Sequence, residues 1–356
     1  MDEVMRHGGN VWQGQGPGSW LDYSANLRPE GMFGWTRACL EQGVDSARYY
    51  PELSMSASRA SLSRLAGVDE ACVLPTAGGI AAIDMACMMA RGRVLIMPPT
   101  FGEYVRRARA HGMDTGVYVG EGSRAWGRLD ACAEFGGVTD ELRAGDALFL
   151  CNPNNPSGEA LERVEVLRLL DMAKAQGARL IVDEAFVDYC PEISVRDVAA
   201  RDAALTVVCS LTKILCVPGA RLGYMVAAPE VIARAQALAL PWALNSGAGR
   251  IAGQVCLHMD DMESERIAND GRRARMEEGL MRMGVQVIPS RANFLLVRLP
   301  VAARVVAAGL KQHGILTRDC TSFGVLDERY MRLAVKTDDE NARLLEALSA
   351  ELQRAR

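Results

Sequence analysis

Lysine is the cation this chain uses least. Of its 40 Lys and Arg residues only four are lysine, at positions 174, 213, 311 and 336. Where positive charge is wanted the chain takes arginine, so a lysine inside an apolar stretch asks for a chemical reason. Histidine is as scarce, at 7, 111, 258 and 313, and none of the ten cysteines stands in a Cys-x-x-Cys pair. That combination argues against a zinc site, and no metal is expected. The cysteines are too sparse for a disulfide scaffold and read as free thiols of a reducing compartment. No apolar run approaches the roughly 20 residues that span a bilayer. The net charge is −4, and the basic residues are not pooled in one block, so neither a membrane nor a nucleic acid is an expected partner. The opening MDEVMRHGGN is polar and acidic, unlike a secretory signal, and a cytoplasmic location is expected. Internal repeats and low-complexity linkers are missing too.

What is present is ordinary in bulk. The chain has 356 residues, 49% of them hydrophobic and 24% charged, a length that suggests about two domains with ample core. The first 45 or so residues are dense in Gly and Pro and read as irregular. Their GQGPG run lacks the preceding strand and following helix of a dinucleotide fingerprint. From residue 54 an alternation begins. Helices are expected at 54–66, 80–90 and 160–176, with short apolar strands at 93–99, 147–153, 179–185, 205–210 and 221–227. Such alternation predicts an α/β fold with a mostly parallel sheet covered by helices on both faces. Ligands of such sheets bind at the carboxyl ends of the strands, where NPNNPSG, DEAFVDY and SLTK fall. After 230 the pattern changes. A helical region covers 229–283, with a break near 245–249. A strand pair element at 285–298, a helix at 301–312, the RYMRLAVK segment and an amphipathic helix at 338–354 follow, forming a smaller α+β unit. The expected division is an N-terminal arm over 1–45, a large domain over 46–235, and a connecting helix with a small domain over 236–356.

Lys213 is the lysine that asks for a reason. It follows a predicted strand and is flanked by Ile214, Leu215 and Val217. Desolvation lowers an amine's pKa, and a neutral amine forms a Schiff base with an aldehyde, which arginine cannot do. Alone, Lys213 reads equally as a lysine snorkelling at a sheet end. Ser210 and Arg221 nearby suit a phosphate. Asp183, ending the strand in IVDEAF, can hold a pyridinium proton, or can be a cap or ion-pair residue. Asn155, in the Pro-bounded NPNNPSG turn, can donate to a phenolate oxygen, or can serve turn chemistry alone.

The ordered set Asn155, Asp183, Ser210-x-x-Lys213, Arg221 resembles the pyridoxal-phosphate enzymes of fold type I, the aspartate aminotransferase superfamily. The resemblance implies that pyridoxal 5'-phosphate is the cofactor and that Lys213 carries it. It implies that Asp183 pairs with the pyridine nitrogen, and Lys213 and Asp183 are the expected catalytic residues. Asn155 would meet the ring oxygen, and Ser210 and Arg221 the cofactor phosphate. Gly78 and Gly79 resemble the backbone phosphate cradle, although relatives often carry an acidic or hydroxyl residue there. Phe101 of PPTFGEY stands where a ring stacks on the pyridine. Tyr50 resembles the tyrosine that reaches the phosphate of the other subunit, which implies a homodimer with shared sites. Arg332 matches the arginine that binds the substrate α-carboxylate; by itself it also reads as a surface strand arginine.

Within that superfamily the chain is similar to the branch that pairs histidinol-phosphate aminotransferases with threonine-phosphate decarboxylases of cobalamin biosynthesis. HGGN followed by LDYSANLRP resembles the decarboxylase opening. So does ILTRDCTSFGVLDERYMRLAVKT, and Phe186 replaces a tyrosine usual in the aminotransferases. The resemblance implies decarboxylation of L-threonine O-3-phosphate, with decarboxylation of L-serine O-phosphate or a histidinol-phosphate-type transamination as alternatives. His7, Asn26 and Arg318 are then candidates for the substrate phosphate. Arg28 departs from the branch's usual asparagine; it either faces solvent or adds positive charge near the substrate. Cys151, Cys209, Cys216 and Cys320 flank these motifs, so sensitivity to thiol reagents is expected.

Overall fold

The computed structural model describes residues 8–13, 16–117, 137 and 141–355. Its centre is a seven-stranded sheet. The strands are β2 (Val73–Thr76), β3 (Val94–Ile96), β4 (Thr115–Val117), β5 (Ala147–Cys151), β6 (Arg179–Asp183), β7 (Leu205–Ser210) and β8 (Gly223–Ala227). They lie in the order β2-β8-β7-β6-β5-β3-β4. Only β8 runs against the others, antiparallel to both β2 and β7. The expected α/β architecture is therefore the observed one.

The central strands are buried along almost their whole length, as a sheet covered on both faces requires. Period two deals their side chains to two cores. Leu148, Leu150, Leu180, Val182 and Val207 pack with helices α2 (Ser56–Ala66) and α5 (Arg163–Ala175). Phe149, Ile181 and Val208 pack with α3 (Gly79–Met89), α4 (Glu103–Ala110) and α6 (Pro229–Leu238). Two strands of this sheet, β2 and β4, were not foreseen. β2 contains Pro75, which reads as a turn residue in sequence; it is tolerated because β2 is an edge strand with one side free of ladder bonds.

The expectation of an irregular first 45 residues is corrected. Helix α1 (Gly34–Ser46) forms there and packs on α7 (Ser246–Gln254). Gly43 carries the contact: a Cβ built on it would lie 2.6 Å from the Cα of Gly247. A glycine inside a helix looks like a breaker in sequence, but here it lets two backbones touch. The break expected at 245–249 is corrected: only Asn245 lies outside α7, where its side chain caps the helix by accepting from the Ala248 N–H at 2.9 Å, and residues 246–249 form the first turn.

The C-terminal part holds the long helix α8 (Met259–Arg282), then an antiparallel sheet in the order β12-β13-β10-β9, formed by Arg318–Asp319, Tyr330–Ala334, Phe294–Arg298 and Gln286–Val287. Helices α9 (Ala303–Gln312) and α10 (Asp338–Arg354) cover it. A capping box of Thr337 and Glu340 starts α10. The short N-terminal strand β1 (Leu21–Asp22) pairs in parallel with β11 (Ile315–Leu316). Among the described residues no helix is long and apolar enough to cross a membrane.

Candidate active site

Cys151, Asp183 and Ser210 are the last residues of β5, β6 and β7, three parallel neighbours. The two-residue period puts all three on the face that packs against α3 and α4. The chain beyond each strand supplies the rest: Asn155 after β5, Phe186 after β6, Lys213 after β7.

Asp183 is 4% exposed. One carboxylate oxygen accepts from the Tyr104 hydroxyl at 2.7 Å, the other from the Ala185 N–H at 3.0 Å. Burial raises its pKa to about 6, against the pull of these donors and of Lys213. The Lys213 ammonium is pushed down to about 8, by burial first and then by the charges of Arg332 and Arg221, with Asp183 opposing. The pair therefore holds an amine that is partly neutral near neutral pH beside a carboxylate without an arginine.

Gly78, Gly79, Ser210 and Arg221 converge. Gly78 precedes α3 with φ 78°, and a Cβ there would lie 2.8 Å from the Arg221 guanidinium. A Cβ on Gly79 would lie 3.4 Å from that of Ser210, whose hydroxyl is 2.9 Å from the Thr212 hydroxyl. Arg221 itself has φ 57°, a strained backbone for a side-chain-bearing residue. A helix N-terminus, two hydroxyls and a guanidinium around a space kept clear of side chains fit a phosphate.

The three asparagines of NPNNPSG separate by their bonds. Asn152 is held by both the N–H and the carbonyl of Leu161, and Asn154 donates to Pro99 and Ser157. Turn chemistry is thus carried by these two. Asn155 instead accepts from Arg332 at 2.5 Å through its oxygen, which leaves its amide nitrogen to donate elsewhere. Arg332 also donates to the Ser24 carbonyl at 2.7 Å. It is 6% exposed rather than a surface arginine, and burial lowers it to about 10. Arg318 stands directly opposite Arg332 in the β12–β13 pairing, so the two side chains leave the same face of the sheet. Like charges so placed are unfavourable without an anion between them. Arg318 meets the Ser322 hydroxyl at 2.8 Å. The Asn26 side-chain oxygen and the Arg332 Nε are buried with no partner among the described residues, and such orphans mark places where a bound group belongs.

Other expectations fare differently. Phe101 meets Tyr104 edge-on, with ring centroids 5.6 Å apart. Phe186 is buried edge-on against Phe294 at 4.9 Å. Tyr50 is 80% exposed and lies against Trp242, 4.5 Å between centroids; within this chain it is not brought to Lys213. His7 lies outside the described residues. Arg28 is only partly exposed, and its backbone N–H donates to the Lys213 carbonyl at 3.3 Å. It pairs with the buried Glu265 at 3.0 Å and its guanidinium lies 4.1 Å from the Phe33 ring centroid, because α8 offers it a carboxylate. Of the cysteines expected to give thiol sensitivity, Cys151, Cys209 and Cys320 are buried, and desolvation raises each thiol, Cys320 to about 12. Cys216 is half-buried and also raised. Tyr104, the donor to Asp183, was missed by the sequence reading. Its one signal is its place three residues after Phe101, on the first turn of α4.

The chain matches the family described as aminotransferase class I and II over residues 36–348. It is 32% identical to threonine-phosphate decarboxylase of Salmonella typhimurium, over 96% of this chain and 95% of that protein. It is also 32% identical to a histidinol-phosphate aminotransferase of Aeromonas hydrophila, over 78% of each. Among solved structures, L-threonine-O-3-phosphate decarboxylase from Porphyromonas gingivalis superposes with a TM-score of 0.81 at 28% identity, covering 93% of this chain and 99% of that one.

Proposed function

From the premise that this chain belongs to the aminotransferase class I and II family and takes pyridoxal 5'-phosphate, we propose that it decarboxylates L-threonine O-3-phosphate, giving (R)-1-aminopropan-2-ol O-2-phosphate and carbon dioxide. The observation that carries this reading is the juxtaposition of Arg318 and Arg332 on one face of β12 and β13, close enough to Lys213 for the Arg332 charge to depress its pKa. A substrate with a phosphate and a carboxylate relieves that repulsion with its own two anionic groups.

In this reading Lys213 holds the cofactor through its amine. Asp183 faces the pyridine nitrogen, Asn155 the ring oxygen, and Phe101 the ring face. Gly78, Gly79, Ser210 and Arg221 take the cofactor phosphate. When bound, the cofactor accepts the electron pair left at the substrate Cα as the bond to the carboxylate breaks. Arg318 and Asn26 would orient the substrate phosphate, and Arg332 the other anionic end. The Lys213 amine would supply to Cα the proton that takes the place of carbon dioxide. An amine titrating near 8 can both give and recover a proton at neutral pH.

Two features favour decarboxylation over transamination: similarity to a decarboxylase along nearly the whole chain, and Phe186, which offers no hydroxyl to the ring oxygen. The test is carbon dioxide release by holoenzyme given threonine phosphate, serine phosphate or histidinol phosphate without a keto acid. Release from threonine phosphate alone is expected, together with borohydride-sensitive visible absorption that Lys213→Ala abolishes. Turnover that requires 2-oxoglutarate overturns the proposal.

A further inference from the structure

Tyr104 is wholly buried, and a buried hydroxyl needs a hydrogen-bond partner. Its hydroxyl donates to Asp183 at 2.7 Å. Its ring stacks on Phe149, 4.9 Å between centroids, and receives Phe101 edge-on. One side chain thus touches both the carboxylate and the aromatic ring that the proposed function sets against the cofactor.

We propose that Tyr104 is a positioning residue for the pyridine ring: its hydroxyl weakens Asp183 as a base, so that the proton between carboxylate and ring nitrogen stays on the nitrogen, while its ring fixes the tilt of Phe101. The inference rests on the cofactor reading above. The argument is one of proton affinity. A carboxylate in so dry a site holds a proton more tightly than usual; burial, with the neighbouring Glu184 charge adding to it, raises Asp183, and the Tyr104 hydrogen bond is the largest of the effects that lower it again. Without that donor Asp183 would take a larger share of the ring's proton, and the ring would withdraw electrons less strongly. The Ala185 N–H remains on the other oxygen in either case, so Tyr104 supplies the adjustable part.

Tyr104→Phe keeps the ring contacts with Phe149 and Phe101 and removes only the donor. The readout is the pH midpoint of the borohydride-sensitive visible band of the holoenzyme. Less positive charge on the ring lets the nitrogen joined to Lys213 keep its proton to higher pH. An upward shift of about one unit is expected, with kcat/KM down about 10- to 100-fold, as befits a lost hydrogen bond to a charged group. In an Asp183→Asn background the same substitution should shift the midpoint no further, since the two act through one proton. A purely packing role predicts neither result. An unchanged midpoint in Tyr104→Phe, or an equal shift in both backgrounds, overturns the inference while leaving the function intact. A wild-type protein without a borohydride-sensitive band overturns the cofactor reading and this inference with it.

Discussion

Asp183 and Glu184 are neighbours in sequence, and both are almost fully buried, at 4% and 2% exposed. They point to opposite faces of the sheet and live in opposite circumstances. Glu184 is fully partnered: it accepts from the Val195 N–H at 2.8 Å and the Ser194 hydroxyl at 2.7 Å, and pairs with Arg196 at 3.2 Å. Arg196 in turn donates to the Tyr224 hydroxyl at 2.6 Å. Asp183 has two neutral donors and no arginine. Both carboxyls are raised by burial, but only one is offset by a guanidinium in contact. On one face polar groups complete each other and hold the loop after β6. On the other they are left incomplete, and that incompleteness is what a ligand can use. Buried polarity marks function here only where the partners run out.

The sharpest way to break this comparison is to exchange the consequences. Arg196→Met should cost about 3–5 kcal/mol of stability, since it strands a buried carboxylate. Asp183→Asn, close in shape, should leave the denaturation midpoint nearly unchanged while lowering turnover about a hundredfold or more. Urea unfolding and kcat/KM on the two variants check both halves. A large stability loss in Asp183→Asn would mean that the two faces do not differ in kind. A smaller effect concerns Lys213. Its folded pKa is lowered to about 8 from 10.5, so the neutral, nucleophilic amine gains population as pH rises through about 8. The rate at which cofactor-free protein combines with pyridoxal 5'-phosphate should rise up to that pH and level above it. A rate still climbing at pH 10 would show an amine that burial does not perturb. Smallest is the response to alkylation at neutral pH. Peptide mapping should find Cys216 and Cys256 modified before Cys151, Cys209 and Cys320, because only the first two are partly exposed among the described cysteines. Labelling of Cys151 in step with them would mean that the Asp183 pocket opens to solvent.

The sequence was most legible where one physical signal dominated. Continuous apolar runs such as ALFLC and LTVVCS placed β5 and β7, and the amphipathic pattern after residue 337 placed α10 at its observed bounds. Lys213 was legible because the chain has so few lysines. Helix α1 was not, because Gly34 and Gly43 argue locally against a helix that tertiary packing demands. Nor was β2, whose proline is acceptable only at a sheet edge, and edge position is a property of the whole fold. Asn155 was singled out by its place in the ordered set, and the bonds of Asn152 and Asn154 supply the physical reason, since their amides are already spent. Tyr104 was invisible for a different reason. Its partner is 79 residues away, and nothing in a tyrosine on a helix announces that a strand end will arrive beside it. Arg28 shows the reverse error: the departure from a motif drew attention, and its explanation was an ion pair with Glu265 on a distant helix.

The contact between Gly43 and Gly247 has a consequence for how this protein can change over time. A methyl group on Gly43 would meet the Gly247 backbone, and one on Gly247 the Leu40 side chain, so the two helices are held close at this point. That joint anchors the chain just after the segment that brings Ser24 and Asn26 toward the site, and the pairing of β1 with β11 anchors it just before. The segment is therefore a strap with two fixed ends. Its residues can be exchanged one at a time, but its length is set by the distance between the two anchors. Insertions or deletions between Asp22 and Gly34 would slacken or tighten the strap where it delivers the Ser24 carbonyl to Arg332. Descent can rewrite the lettering of this stretch far more freely than its span.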